Sequence, residues 1–139
     1  MPETKPNVLF VCNTNGGKSQ LAAALLRQAA GTGVQVLSAG LLPAQHINEL
    51  AADVVAELGA DMRAEVPTAL TEEALRAADR VVIVGEAQVP ELEGVTMERW
   101  VPAEAPVELS TERERMVFLR DDLAARVAAL KAELGTTTA

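Results

Sequence analysis

The stretch that decides the fold runs Val8-Leu9-Phe10-Val11-Cys12-Asn13-Thr14-Asn15-Gly16-Gly17-Lys18-Ser19. Its first four residues are an unbroken apolar run with β-branched members, the pattern of a strand buried on both faces. A turn of Asn, Thr and Gly follows, and the residues from Ser19 to Ala30 read as a helix. Strand, glycine-rich turn and helix in that order aim backbone N–H groups at an anion, because the first N–H groups of a helix lack acceptors and its dipole is positive there. In open α/β sheets, ligands usually bind at this carboxyl edge of the strands. The candidate oxyanion-binding residues are therefore Asn13, Thr14, Asn15, Gly16, Gly17, Lys18 and Ser19. Gly16 and Gly17 let the backbone curl around a ligand. Lys18 adds a full positive charge, and Ser19 is placed to cap the helix or donate a hydrogen bond.

Cys12 stands at the mouth of this cradle. Positive helix ends and nearby cations favour a thiolate over a thiol, and a thiolate beside a bound oxyanion is placed to attack its central atom. A lone cysteine after a strand is ordinarily a small buried hydrophobe, but the Asn, Gly-Gly and Lys-Ser residues that follow reverse those odds. Gly17-Lys18-Ser19 also ends the pattern of a nucleotide-binding P-loop. The first glycine of that pattern would fall on Cys12, and Val81 to Val84 leads into Gly85-Glu86 rather than a Mg²⁺-binding Asp.

Further along, Gly31-Thr32-Gly33 stops the first helix, and Val34 to Ser38 reads as a second strand. Ile47 to Leu58 has helical apolar spacing, with Asn48 near its start and Gly59 after its end. Thr71 is placed to cap a short helix with Glu72 and Glu73 in its first turn. Val81 to Val84 is the next buried strand, and Thr96 to Trp100 a short last one. Thr111 and Glu114 have capping-box spacing before a long helix to Leu134 that ends at Gly135. Leu119, Leu123, Val127, Leu130 and Leu134 give it one apolar face, and Thr136 to Ala139 reads as a frayed tail. Alternating strands and helices predict a single α/β domain over residues 1–139, three layers with a four-stranded parallel sheet.

Composition narrows the chemistry. The 139 residues include twelve basic and twenty acidic ones, a net charge of −8. That argues against nucleic acid or an anionic membrane as partner. No apolar run approaches the ~18 residues that span a bilayer, and the polar start from Met1 to Asn7 does not read as a signal peptide, so the expected location is the cytoplasm. One cysteine permits neither an internal disulfide nor an all-cysteine metal site. His46 is the only histidine, so any Cys–His pair, zinc site or Ser–His–Asp triad would have to include it. No metal and no bound cofactor are expected.

Val8 to Ser19 resembles the signature of the low-molecular-weight protein tyrosine phosphatases and of the arsenate reductases built on the same fold. In that signature a strand precedes Cys, five residues, Arg and Ser. Cys12, Asn15 and Ser19 match, while Lys18 replaces the arginine. The similarity continues in Ser38-Ala39-Gly40, in Pro43-Ala44 with Ile47-Asn48, in Glu57 to Met62 and in Ala78 to Ile83, and so covers nearly the whole chain. These latter segments look more like arsenate reductases than phosphatases, and a few reductases that resemble this chain share its Gly-Gly-Lys-Ser loop.

The resemblance implies a catalytic acid on a late Asp-Pro. Trp100-Val101-Pro102-Ala103-Glu104-Ala105-Pro106 stands there instead, which makes Glu104 the candidate proton donor, against a plain reading as a solvated loop acid. Lysine lacks the planar fork with which arginine grips two oxygens. Nine of the twelve basic residues are Arg, so Lys18 departs from the chain's own preference. Reduction of arsenate takes two electrons, and a chain with one cysteine needs its second thiol from outside. The resemblance implies mycothiol as co-substrate, with glutathione as an open alternative, and a glutaredoxin-like protein releasing arsenite from the adduct. The expected function is thus an external-thiol arsenate reductase using Cys12, Lys18 and Glu104. The alternatives are a tyrosine phosphatase with a cysteinyl-phosphate intermediate, or a degenerate member that binds anions or phosphoproteins without turnover. No tyrosine is present to grip a phosphotyrosine ring, and Trp100 reads as a packing residue. His46 reads as a surface or capping residue with a site role as the lesser alternative, and Asn15 as a shaper of the loop.

Overall fold

Each side chain of the first apolar run finds a core, on alternating sides. In the computed structural model, which describes residues 5–134, that run lies within β1 (Asn7–Cys12). Val8 and Phe10 pack with Leu21 and Leu26 on one face, and Leu9 and Val11 with Leu75 and Ile83 on the other. A strand covered on both faces has no need of polar positions, which is why its sequence lacks them.

Ala- and Leu-rich α1 (Lys18–Ala30) follows the loop, composed of residues that lose little conformational freedom in a helix. It ends at Gly31, whose φ of 58° an alanine would adopt only under strain. Then come β2 (Gln35–Gly40), α2 (Glu49–Ala56), α3 (Glu72–Ala77), β3 (Arg80–Val84), β4 (Met97–Trp100) and α4 (Glu112–Leu134). The four strands lie in the order β2-β1-β3-β4, all parallel. Residues of α1, α2 and α4 share one apolar cluster with one face of the sheet; α3 and the segment after β3 cover the other. The result is the three-layer α/β/α arrangement with a four-stranded parallel sheet.

Element boundaries differ from the sequence expectation where tertiary pairing extends or shortens them. β2 continues through Ala39 and Gly40 because they pair with Val11 and Cys12 of β1. α2 starts at Glu49 rather than Ile47, since the Asn48 N–H donates to the Gly16 carbonyl and holds that residue extended. Its side chain then caps the helix by accepting from the Ala51 N–H at 3.0 Å. Thr71 caps α3 through the Ala74 N–H, and Thr111 with Glu114 forms the reciprocal capping box of α4. Leu123, Val127 and Leu130 are buried and Leu119 and Leu134 pack beside them, as the expected apolar face of α4 requires. Trp100 is buried, its ring centroid 5.7 Å from that of Phe10. The expected stop at Gly135, the tail Thr136–Ala139 and the first four residues of the polar start lie outside the described residues. No helix among the described residues is long and apolar enough to cross a membrane.

Candidate active site

β1 ends on Cys12, and the chain turns through residues 13–17 before α1 begins. Four carbonyls at and just before this turn are engaged on one side. Those of Cys12, Asn13, Thr14 and Gly16 accept from the N–H groups of Leu41, Leu42, Ala44 and Asn48, respectively. With the oxygens held by segment 41–48, the N–H groups face the opposite way. Among the described residues, no protein acceptor pairs with the N–H groups of Thr14, Gly17, Lys18 or Ser19. The other helices differ: α2, α3 and α4 each have a side-chain cap and an acid in the first turn, whereas α1 has neither. Its positive end is left uncompensated by the protein.

Asn15 is the keystone beneath the turn. It is fully buried at a φ of 53°, a left-handed conformation that Asn tolerates better than most residues. Its Oδ1 accepts from the Thr68 N–H at 2.8 Å and from Gln20 Nε2 at 3.3 Å, and its Nδ2 donates to Ser19 Oγ at 2.7 Å. Gly40 makes room for it: a Cβ there would lie 2.7 Å from the Asn15 nitrogen. The Ser38-Ala39-Gly40 motif therefore ends β2 on a bare Cα against which the turn rests.

Cys12 is 5% exposed, and that exposure opens into a cavity of about 450 Å³. The Asn15 N–H donates to its sulfur at 3.1 Å, and Ser19 Oγ lies 3.0 Å away. An ionised sulfur only accepts, so in that state Ser19 donates to it while taking the Asn15 amide hydrogen on its own oxygen. In that state two donors converge on the sulfur at the mouth of the cradle.

The cavity is bordered by Cys12, Asn13, Thr14, Gly16, Gly17 and Lys18 from the cradle. Asn15 and Ser19 are not on its surface; they act from beneath. Ala44, His46 and Asn48 border it from the segment that holds the turn, Val84 and Glu86 from the end of β3, and Met116 and Leu119 from α4. Glu104 is exposed on the loop between β4 and α4 and is not among the bordering residues. Glu86 was missed as a site residue by sequence reading. The signal was present, since it follows β3 at the same carboxyl edge as Cys12. Among the described residues no cluster of three or more His, Cys, Asp or Glu side chains is arranged to hold a metal ion.

The buried cysteine thus lies beside an uncapped helix end, at a turn whose amide groups have no acceptor among the described residues. The sequence pattern of the low molecular weight phosphotyrosine protein phosphatases matches residues 7–109, and the chain belongs to that family. It is similar to a putative arsenate reductase of Halobacterium salinarum, 28% identical over 124 residues that make up 85% of each chain. A probable low molecular weight protein-tyrosine-phosphatase of Ralstonia solanacearum, EpsP, is 36% identical over 88 residues, 62% of this chain and 60% of that one. Among solved structures, the Corynebacterium glutamicum thioredoxin-dependent arsenate reductase Cg_ArsC1' superposes with a TM-score of 0.81 at 31% identity. The match covers 97% of this chain, which spans 64% of that protein's length. The chain is thus a single-cysteine member of the superfamily that joins these phosphatases and arsenate reductases, with chemistry of the phosphatase and redox type centred on that cysteine.

Proposed function

We propose that Cys12 attacks the central atom of a tetraoxo anion bound in the cradle, and that the chain works through a cysteinyl adduct in the manner of a phosphatase of its family. In a phosphomonoester the S–P bond forms as the P–O bond to the leaving group breaks, and the departing oxygen takes a proton. Water then attacks phosphorus, the S–P bond breaks, and inorganic phosphate leaves with the thiolate restored. Amides of the turn and the Lys18 ammonium face the negative charge that spreads over the equatorial oxygens. The observation that carries this reading is the pair of polar contacts on the Cys12 sulfur, from the Asn15 N–H at 3.1 Å and with Ser19 Oγ at 3.0 Å, at the mouth of the cavity.

A second reading keeps the site and changes the fate of the adduct. Lys18 in place of arginine, the absence of tyrosine and the aliphatic border of Val84, Met116 and Leu119 suit a small inorganic anion. In that reading Cys12 displaces an oxygen of arsenate as water, and an external low-molecular-weight thiol takes over the arsenic and releases Cys12. A further thiol then reduces arsenic from the +5 to the +3 state, leaving a disulfide and arsenite. Mycothiol is the proposed thiol, and a glutaredoxin-like protein the proposed source of the second one. The single cysteine supports an external donor.

One pair of assays separates the two: p-nitrophenyl phosphate hydrolysis, and arsenite formation from arsenate with mycothiol and its reductant. Hydrolysis lost in Cys12→Ser supports the phosphatase. Arsenite formation lost in the same variant supports the reductase. Turnover of either kind that persists in Cys12→Ser removes Cys12 as nucleophile, and anion binding without turnover leaves a binding protein.

A further inference from the structure

The Lys18 ammonium borders the cavity and makes no ion pair among the described residues. Its place is set by the residue after β3. Gly85 has a φ of 95°, and its peptide groups are held by β4: its N–H donates to the Trp100 carbonyl at 2.8 Å, and its own carbonyl accepts from Arg99 Nη1 at 2.6 Å. In this fixed conformation a Cβ on Gly85 would point at the lysine, 3.3 Å from Nζ and 3.6 Å from Cδ. Arg99 fixes the Gly85 carbonyl on the β4 side. The stem of Lys18 lies over a bare Cα, and its charge stays available to a ligand.

We propose that Gly85 is the seat of the Lys18 ammonium, a positioning residue whose missing side chain sets how tightly the cradle holds a tetraoxo anion. The inference rests on reading the cradle as an oxyanion site. An alanine here meets two penalties: L residues rarely adopt a φ of 95°, and its methyl group presses on Nζ, so the lysine end gives by a few tenths of an ångström. That shift lengthens and misaligns its charge-assisted hydrogen bond to the anion. Substrate affinity depends in this way on a residue that touches no substrate.

Calorimetric binding of phosphate and of arsenate, which needs no turnover, tests this in four proteins: wild type, Gly85→Ala, Lys18→Ala and the double variant. Gly85→Ala is expected to weaken binding about threefold to tenfold, up to the size of one charge-assisted hydrogen bond. In the Lys18→Ala background the same change is expected to do almost nothing, because coupled residues are not additive. Unchanged binding in Gly85→Ala, or an equal loss with and without Lys18, overturns the inference. Should Gly85→Ala not fold, Arg99→Met decides. It keeps the glycine but removes the hydrogen bond that fixes the Gly85 carbonyl and so loosens the seat, and is expected to weaken binding only when Lys18 is present; no such dependence overturns the inference. A wild-type chain that binds neither anion removes the site reading itself, and the inference with it.

Discussion

Lys18 brings a compact, strongly hydrated point charge to a position where a guanidinium would offer two parallel donors. The equatorial oxygens of a transferring phosphoryl group suit the fork better. Lys18→Arg is therefore expected to raise kcat/KM for aryl phosphate about tenfold, roughly one gained charge-assisted hydrogen bond; no gain would refute this account of the lysine. Proton delivery to the leaving oxygen depends on reach before acidity. Glu86 borders the cavity and Glu104 does not. In single-turnover hydrolysis Glu86→Gln is expected to lose roughly 10²–10⁴-fold in rate, and Glu104→Gln to change little. The reverse pattern would return the role to Glu104.

At the scale of elements, the helix ends divide by purpose. α1 leaves its N-terminus open toward the cavity, while α2, α3 and α4 close theirs with Asn48, Thr71 and Thr111. The α4 box is reciprocal. Thr111 Oγ1 accepts from the Glu114 N–H, and Glu114 Oε1 accepts from the Thr111 hydroxyl and N–H. These bonds, the side-chain one foremost, hold the Glu114 carboxyl below its ordinary 4.5. A carboxyl depressed on folding stabilises the folded state above its unfolded pKa, and that contribution fades as pH falls through the folded one. The stability advantage of wild type over Glu114→Gln is thus expected to be present at neutral pH and to vanish in acid, read from urea midpoints across the titration. An advantage that persists in acid would show that the box contributes nothing through its charge. Capping signals of this kind are legible in sequence because donor and acceptor lie within one turn. Where α2 starts was not legible, since the N–H of Asn48 is taken by Gly16, thirty-two positions earlier in the chain.

For the molecule as a whole, the sheet order puts β1 between β2 and β3, and so surrounds Cys12 with the ends of both neighbours. Gly40 at the end of β2 supports the turn from below, and Gly85 after β3 borders Lys18. Gly40→Ala pushes a Cβ to within 2.7 Å of the Asn15 nitrogen, a clash with backbone that no rotamer relieves. Overpacking of this kind is expected to cost about 1–3 kcal/mol by urea titration, and to abolish phosphate binding in the fraction that still folds. Wild-type binding in that variant would mean the turn does not depend on the β2 end. Arg120 makes a different long-range tie: although charged, it is buried in α4, donating to the Val54 carbonyl at 2.8 Å and pairing with Glu57. It shares the buried face of the helix with Leu123 and Val127, three and seven positions on, and its sequence neighbours carry no mark of that partner.

The sequence by itself determined the strand, turn and helix around Cys12, the parallel α/β class and the candidate cradle. These follow from apolar periodicity, turn chemistry and helix ends, all of which act between residues close in the chain. Only the tertiary structure decided that Ser19 works from beneath, that Glu86 rather than Glu104 borders the cavity, and that Gly85 lies against Lys18. Those relations join residues tens of positions apart, and periodicity tells which side of an element is buried without telling which groups will face one another there.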